Sequence, residues 1–275
     1  MDHVKKQHYV PQFLLKNFSN DRGLIWYYDK HLKIIREKGA GGVAFEEYFY
    51  DKIPGVKEGS LEYTYQRAET HAAPIIQKII TQNTLSILTL DEKVALAMFI
   101  AMQLNRTKKA LKNTERMQSE FWGPIKEFAK STGAQLDSEP GPAKDFWLST
   151  IENIPRYTEI LLKKTWCLGC SNGEFYTSDH PVVKGNYKNR AMSEVRGVLG
   201  LDSDGIEIYF PLTPSLILSI LCEKSYAQPN DPVQQFKAEN ILYVNHLQIK
   251  QSDRFIFASN GDFTLVEDVI LKNEL

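Results

Sequence analysis

An α+β fold is what the sequence predicts, from three observations: helical periodicity over two stretches of the first half, short apolar runs of strand length in the second, and a glycine- and proline-rich loop, Ser131 to Ala143, between them. The expected architecture is a helical half built on a long buried helix pair, packed on a mainly antiparallel sheet from the C-terminal half, with a hairpin added near the N-terminus. At 275 residues the chain fits a single domain. The expected division is a helix-rich lobe over about 1–131, the loop over 132–143 and a strand-rich lobe over about 144–275.

The elements follow in order. After His8-Tyr9-Val10-Pro11-Gln12, the stretch Phe13-Leu14-Leu15-Lys16-Asn17-Phe18 spaces its apolar residues for a short helix, with Pro11 near the first turn, where a missing N–H costs nothing. Leu24 to Asp29 and Leu32 to Arg36 read as two strands about a turn at Lys30-His31, and Gly39 to Gly42 closes the hairpin. Ser60 can cap a long helix whose apolar positions Leu61, Tyr65, Ala68, Ala72, Ile75, Ile76 and Ile79 keep the helical period, with a kink at Pro74. Thr89-Leu-Asp-Glu92 is a capping box that opens a second helix running to about Lys112. Its stretch Val94 to Met102 is apolar all round, so this helix should lie centrally, covered on most sides. A third, more amphipathic helix is expected over about Glu115 to Lys130. Past the loop, Asp145 to Lys164 reads as a helix kinked at Pro155, followed by strands at Thr165 to Cys170, Glu174 to Thr177, Ile206 to Phe210 and Leu216 to Leu221. Asp231-Pro232 opens a late helix to about Asn245, and Phe255 to Phe257 is a final strand.

Apolar residues make up 43% of the chain and charged residues 24%, ordinary globular usage that argues against disorder and against a membrane protein. The formal net charge of -1 gives no overall field to gather nucleic acid or an anionic membrane, so any anion site must be local. Met1 to Lys6 is polar with no apolar run behind it, which predicts no secretory signal. Val94 to Met102, the longest apolar run, is about half of the ~20 residues that a membrane span needs. Three cysteines form no disulfide framework, and the expectation is a soluble protein of the reducing cytoplasm without a membrane partner. Cys167-Leu-Gly-Cys170 has the spacing of a zinc or redox pair, but in a strand residues three apart point to opposite faces, which favours two buried apolar side chains.

Three places can carry chemistry. His8, on the turn before Pro11, has a side chain suited to general base work or metal ligation, or it anchors the N-terminal segment. Gln103 and Arg106 share a face where the apolar helix gives way to polar residues, and a guanidinium emerging there needs a carboxylate, carbonyls or a bound anion. Glu69, at the edge of its own helix's apolar stripe, is the expected internal partner; such a boundary carboxylate can equally serve as acid, base or metal ligand. In Tyr176-Thr177-Ser178-Asp179-His180-Pro181, Asp179 stands at a strand end as a metal ligand or base, or as the cap of a turn. Beyond it Lys184, Lys188 and Arg190 belong to a cationic segment with Tyr187 that could track a phosphate backbone, and Lys108 and Lys109 beside Arg106 form a second cationic cluster. No phosphate-binding glycine loop, dinucleotide fingerprint, His-Glu-X-X-His or Gly-X-Ser-X-Gly occurs, which disfavours ATP, nicotinamide and zincin chemistry.

The opening His8-Tyr9-Val10-Pro11-Gln12-Phe13-Leu14-Leu15-Lys16-Asn17-Phe18 resembles that of a bacterial family of unknown function whose members begin with His-Tyr-Val/Ile-Pro. Glu69, Gln103, Arg106, Thr177-Ser178-Asp179 with Pro181, and Pro211-Leu-Thr-Pro214 extend the resemblance over most of the chain, and His180 stands where many members have Asn. The resemblance implies no reaction; it implies that His8, Glu69, Arg106 and Asp179 belong to one pocket. The function expected from these residues is phosphodiester hydrolysis, as in a metal-dependent nuclease. Glu69 and Asp179 would hold magnesium or manganese, His8 would act as base or ligand, Arg106 would stabilise phosphate charge, and Gln103, Lys184, Lys188 and Arg190 would bind substrate. Two alternatives stay open: a binding or effector module in which the same residues form a structural network, and a pocket for a nucleotide or small anion.

Overall fold

The computed structural model describes residues 3–135, 140–189, 198–226 and 233–272. Its first third holds β1 (Lys6–His8), α1 (Gln12–Lys16), β2 (Leu24–Asp29), β3 (Ile34–Gly39), β4 (Phe45–Glu47) and α2 (Glu62–Gln82). β2 and β3 pair antiparallel as the expected hairpin, and β1 pairs with β4. α2 buries Tyr65, Ala68, Ala72, Ile75, Ile76 and Ile79, the stripe that its period marks, and it continues through Pro74. α3 (Leu90–Asn105) opens on the expected capping box: the Thr89 hydroxyl accepts the Glu92 N–H at 3.2 Å and the Glu92 carboxylate accepts the Thr89 N–H at 2.8 Å. From Leu96 to Gln103 it is almost wholly buried, as an all-round apolar helix must be.

This helix stops earlier than its pattern suggests. It ends at Asn105, and α4 (Lys108–Thr132) begins two residues after Arg106, taking in both the stretch to Lys112 and the separate helix expected from Glu115. The cause is Thr107, which adopts extended backbone and accepts the Ala110 N–H on its hydroxyl, an N-cap that resets the chain. Past the loop, the single kinked helix expected over Asp145 to Lys164 is α5 (Ala143–Ser149), a 3-10 turn and α6 (Ile154–Leu162). Pro155 falls in the first turn of α6, where it starts a helix instead of bending one.

The remaining elements are β5 (Thr165–Cys170), β6 (Thr177–Ser178), β7 (Val183–Gly185), β8 (Glu207–Thr213), β9 (Leu216–Leu221), β10 (Val233–Gln235), α7 (Ala238–Gln251), β11 (Phe255–Ala258) and α8 (Thr264–Leu271). Five strands form a sheet of order β10-β5-β9-β8-β7, antiparallel except where β10 joins β5. Both of its faces are covered. Leu168, Phe210 and Leu218 meet Ile76, Leu96 and Phe99 of α2 and α3 on one face, while Tyr209 and Ile217 meet Val244 of α7 on the other. The late helix starts at Ala238, after a strand, and Asp231 and Pro232 lie outside the described residues. The strand expected from Glu174 is confined to Thr177–Ser178 because Phe175 and Tyr176 give their N–H groups to Pro214 O and Asn245 Oδ1 instead of to a neighbouring strand. Cys167, Cys170 and Cys222 are free thiols, and no described helix is long and apolar enough to cross a membrane.

The second sheet joins the two ends of the chain. Its order is β3-β2-β11-β6, so the N-terminal hairpin pairs directly with a strand from the far end of the chain. Charge completes the join: Arg254 donates to both oxygens of Asp29 at 2.6–3.0 Å, and the Lys30 ammonium caps the end of α7 at the carbonyls of Ile249 and Ser252.

Close packing of β5 against Ile217 of β9 and Phe236 in the link to α7 gives the first prediction. A Cβ on Gly169 of β5 would stand 2.5 Å from a ring carbon of Phe236 and 2.7 Å from Cγ2 of Ile217. Gly169→Ala is expected to destabilise the fold by about 1–3 kcal/mol, read as a lowered urea midpoint at unchanged slope; an unaltered midpoint contradicts this packing.

Candidate functional site

Arg106, at the end of α3, is 2% exposed, so its charge must be met inside the protein. Three partners surround the guanidinium: Nη1 donates to Glu69 Oε1 at 2.6 Å, Nη2 to the His8 carbonyl at 2.6 Å, and Nε to the Tyr50 hydroxyl at 3.1 Å. The Tyr65 ring lies 4.6 Å from its central carbon. Tyr50 in turn donates to the Arg106 carbonyl at 2.9 Å, and Gln103 donates from Nε2 to the Tyr9 carbonyl at 2.9 Å. Glu69 is thus the internal partner that the helix pattern named, and the N-terminal motif is held through its backbone carbonyls. The His8 ring packs on Phe45, and burial first, then the charges of Lys6 and Arg106, lower its pKa to about 4 against a backbone hydrogen bond to Gly41.

Asp179 belongs to a different network. Its carboxylate is buried and accepts the backbone N–H groups of Asp253, Arg254 and Phe255 at 2.6–2.9 Å, which fixes the start of β11 against β6. The four residues expected in one pocket take different hydrogen-bond partners. His8, Glu69 and Arg106 meet around a buried guanidinium, with His8 taking part through its carbonyl, and Asp179 ties β11 to β6. Glu69 engages Arg106 through Oε1, and both oxygens of Asp179 accept backbone N–H groups; among the described residues no group of three or more His, Cys, Asp or Glu is placed to hold a metal ion. Lys188 braces its own loop through Asp204 at 3.0 Å, and Arg190 lies outside the described residues.

One of the expected binding residues, Lys184, lines a cleft of about 720 Å³ between α4, α6 and β7. Lys109, Arg116 and Arg156 line it as well, and among the described lining residues Asp202 is the one carboxylate. That carboxylate reaches only Arg156, loosely, at 4.0 Å. No side-chain partner among the described residues engages the Lys184 ammonium, whose pKa burial lowers. Its backbone is clamped instead: Gln251 accepts the Lys184 N–H at 3.0 Å and donates to the Lys184 carbonyl at 2.6 Å. One turn earlier on α7, Gln248 accepts from Ser178 and donates to the Pro181 carbonyl, fixing the segment that carries His180.

His180 also lines the cleft, with Thr107 Oγ1 2.6 Å from its Nδ1. The Thr107 hydroxyl, which accepts the Ala110 N–H, has a proton it can give to Nδ1, an arrangement in which the imidazole proton sits on Nε2. Burial first, then the charges of Lys184 and Lys109, lower the pKa of His180 to about 3, so the ring is neutral at physiological pH. The N-terminus of α4 adds the positive end of a 25-residue helix. The cleft can therefore hold a small anion with two ammonium groups, a neutral N–H donor and a helix dipole. Sequence reasoning set His180 aside and missed Thr107, Arg116, Arg156 and Gln251. The visible signal was the N-cap pattern Thr107-Lys-Lys-Ala, masked by the apolar period running through it.

The family model described as a protein of unknown function, DUF4238, matches residues 6–262, and the chain belongs to that family. No curated protein and no solved structure matches it.

Two predictions follow from the two buried networks and the imidazole. Arg106→Ala and Asp179→Ala are each expected to cost about 3–5 kcal/mol, because each leaves buried partners unpaired; chemical denaturation measures this, and a loss below ~1 kcal/mol would remove the structural role. For His180 the sign is set by its lowered pKa: between the ordinary value near 6.5 and about 3, the unfolded chain binds a proton that the folded chain does not. Stability should fall on acidification through that window, by at most ~1.4 kcal/mol per pH unit from this residue, with His8 adding in the same direction down to about 4. Urea midpoints from pH 7 to 5 should slope less in His180→Gln than in the parent, whereas parallel slopes would mean that the ring titrates normally.

Proposed function

We propose that this member of the DUF4238 family binds a small oxyanion-bearing molecule, in the first instance a phosphate ester, in the cleft between α4, α6 and β7. The observation that carries the reading is Lys184, an ammonium held by a clamped backbone in a partly buried position without a counter-charge among the described residues. A cation kept so is costly to the free protein, and an incoming anion offsets that cost. Lys109 and Arg116 lie along the same wall, and His180 offers a neutral donor that needs no counter-ion.

The same arrangement supports binding ahead of metal-dependent phosphodiester cleavage. That chemistry needs Glu69 and Asp179 to share magnesium or manganese beside His8, and their carboxylates serve the Arg106 network and the β11 turn. Recognition of a long nucleic acid through the segment from Lys184 to Arg190 is supported only at its first member, since Lys188 faces Asp204. The residues of the sequence motif serve the reading indirectly, as the scaffold that fixes where α4 begins.

Isothermal titration with methyl phosphate and with a panel of nucleoside monophosphates tests the proposal. Saturable binding is expected, weakened about tenfold or more in Lys184→Met, the loss of one charge-assisted contact, and weakened by added salt. Absence of binding by every phosphate, or equal affinity in the parent and Lys184→Met, would overturn it.

A further inference from the structure

The cleft does not end at its cations. Met117 lines both the cleft and a second hollow of about 450 Å³, walled by Phe121, Trp122, Pro142 and Phe146. Lys109, Asn113, Met117 and Phe121 are four residues apart in turn, so they form one row along α4. The row grades from a cation to an aromatic ring over about 18 Å at ~1.5 Å rise per residue. The core makes no use of it, since Ala129 is the one residue that α4 buries among those described. Phe121 is 65% exposed and Phe146 53% exposed, a standing cost in water unless something covers them. The cleft is itself amphipathic, with Leu104, Ile160, Leu199 and Leu201 beside its lysines and arginines.

A phosphate alone would fill the cationic end and leave this gradient without a purpose. A flat protein face would meet the exposed rings but could not reach down the cleft to Lys184, which is largely buried. We propose that the ligand is a single-chain anionic amphiphile, its oxyanion head at Lys184, Lys109 and His180 and its hydrocarbon chain passing Met117 to lie between Phe121 and Phe146. This rests on the oxyanion reading above and adds the chemical class of the ligand. The chain is held by burial of apolar surface, so affinity rises with chain length until the hollow is full.

The test compares three probes by isothermal titration below the critical micelle concentration: methyl phosphate, n-dodecyl phosphate and the neutral n-dodecyl maltoside. Dodecyl phosphate is expected to bind at least about tenfold tighter than methyl phosphate, with the maltoside far weaker than either. Phe121→Ser and Phe146→Ser, both at exposed positions, are expected to remove the gain of the chain while leaving the affinity for methyl phosphate unchanged. Equal affinity for dodecyl and methyl phosphate would overturn the amphiphile and leave the oxyanion site standing. Equal binding of the maltoside, or binding only above the micelle threshold, would also overturn it, as detergent adhering to an apolar hollow. If methyl and dodecyl phosphate both fail to bind, the oxyanion reading fails first. A dodecanoate arm separates the sources of the head: binding equal to that of dodecyl phosphate assigns the site to carboxylates as readily as to phosphates.

Discussion

A guanidinium removed from water has to be met on every side, and at Arg106 that requirement fixes much of the molecule. Glu69 comes from α2, the Tyr50 hydroxyl from the segment before it, and the His8 carbonyl from β1. Three separate stretches of chain are thereby tied to the end of α3. Truncating any of them leaves a charge or a carbonyl buried without a partner, which is why the network binds the N-terminal motif to the helices more firmly than packing alone would. It is a constraint on geometry as much as a source of stability, since a buried ion pair recovers little beyond its own desolvation.

The next residue turns that constraint into a site. With Arg106 fixed toward the core, Thr107, also buried, caps α4 and sets its hydroxyl against His180. The helix that begins there carries Lys109 into the cleft. From the other side, Gln248 and Gln251 of α7 hold the strand segment on which His180 and Lys184 stand. Lys109 and Lys184 are thus positioned by groups held in hydrogen bonds of their own.

Much of this was legible in the sequence wherever one local cause dominated. The α2 stripe, the Thr89 capping box, the hairpin and strands β5 and β9 each follow from periodicity or cap chemistry within a few residues, and Arg106 with Glu69 follows from a charge at the edge of an apolar stretch. Other features depend on partners distant in the chain. The apolar period runs past Asn105, so the break at Thr107 shows only once Arg106 has turned inward. Asp179 reads as the cap of a local turn, yet its acceptors meet N–H groups more than seventy residues on, at Asp253 to Phe255. Gln251 looks like an ordinary helix terminus, and nothing near it in sequence marks it as the clamp on Lys184. The candidate site was missed for the same reason: its cations come from three elements, α4, α6 and β7, that meet only in the fold.

The central claim is that the oxyanion seat lies at Lys184 and His180, with the Arg106 network as its support. The most direct measurement is a titration of isotope-labelled protein with inorganic phosphate, followed by NMR. The account predicts saturable shifts at the backbone amides of Lys109 and Lys184 and at the His180 imidazole nitrogens, with those of His8, Glu69 and Arg106 unmoved. Shifts centred on His8, Glu69 and Arg106, with Lys184 and His180 silent, would contradict it.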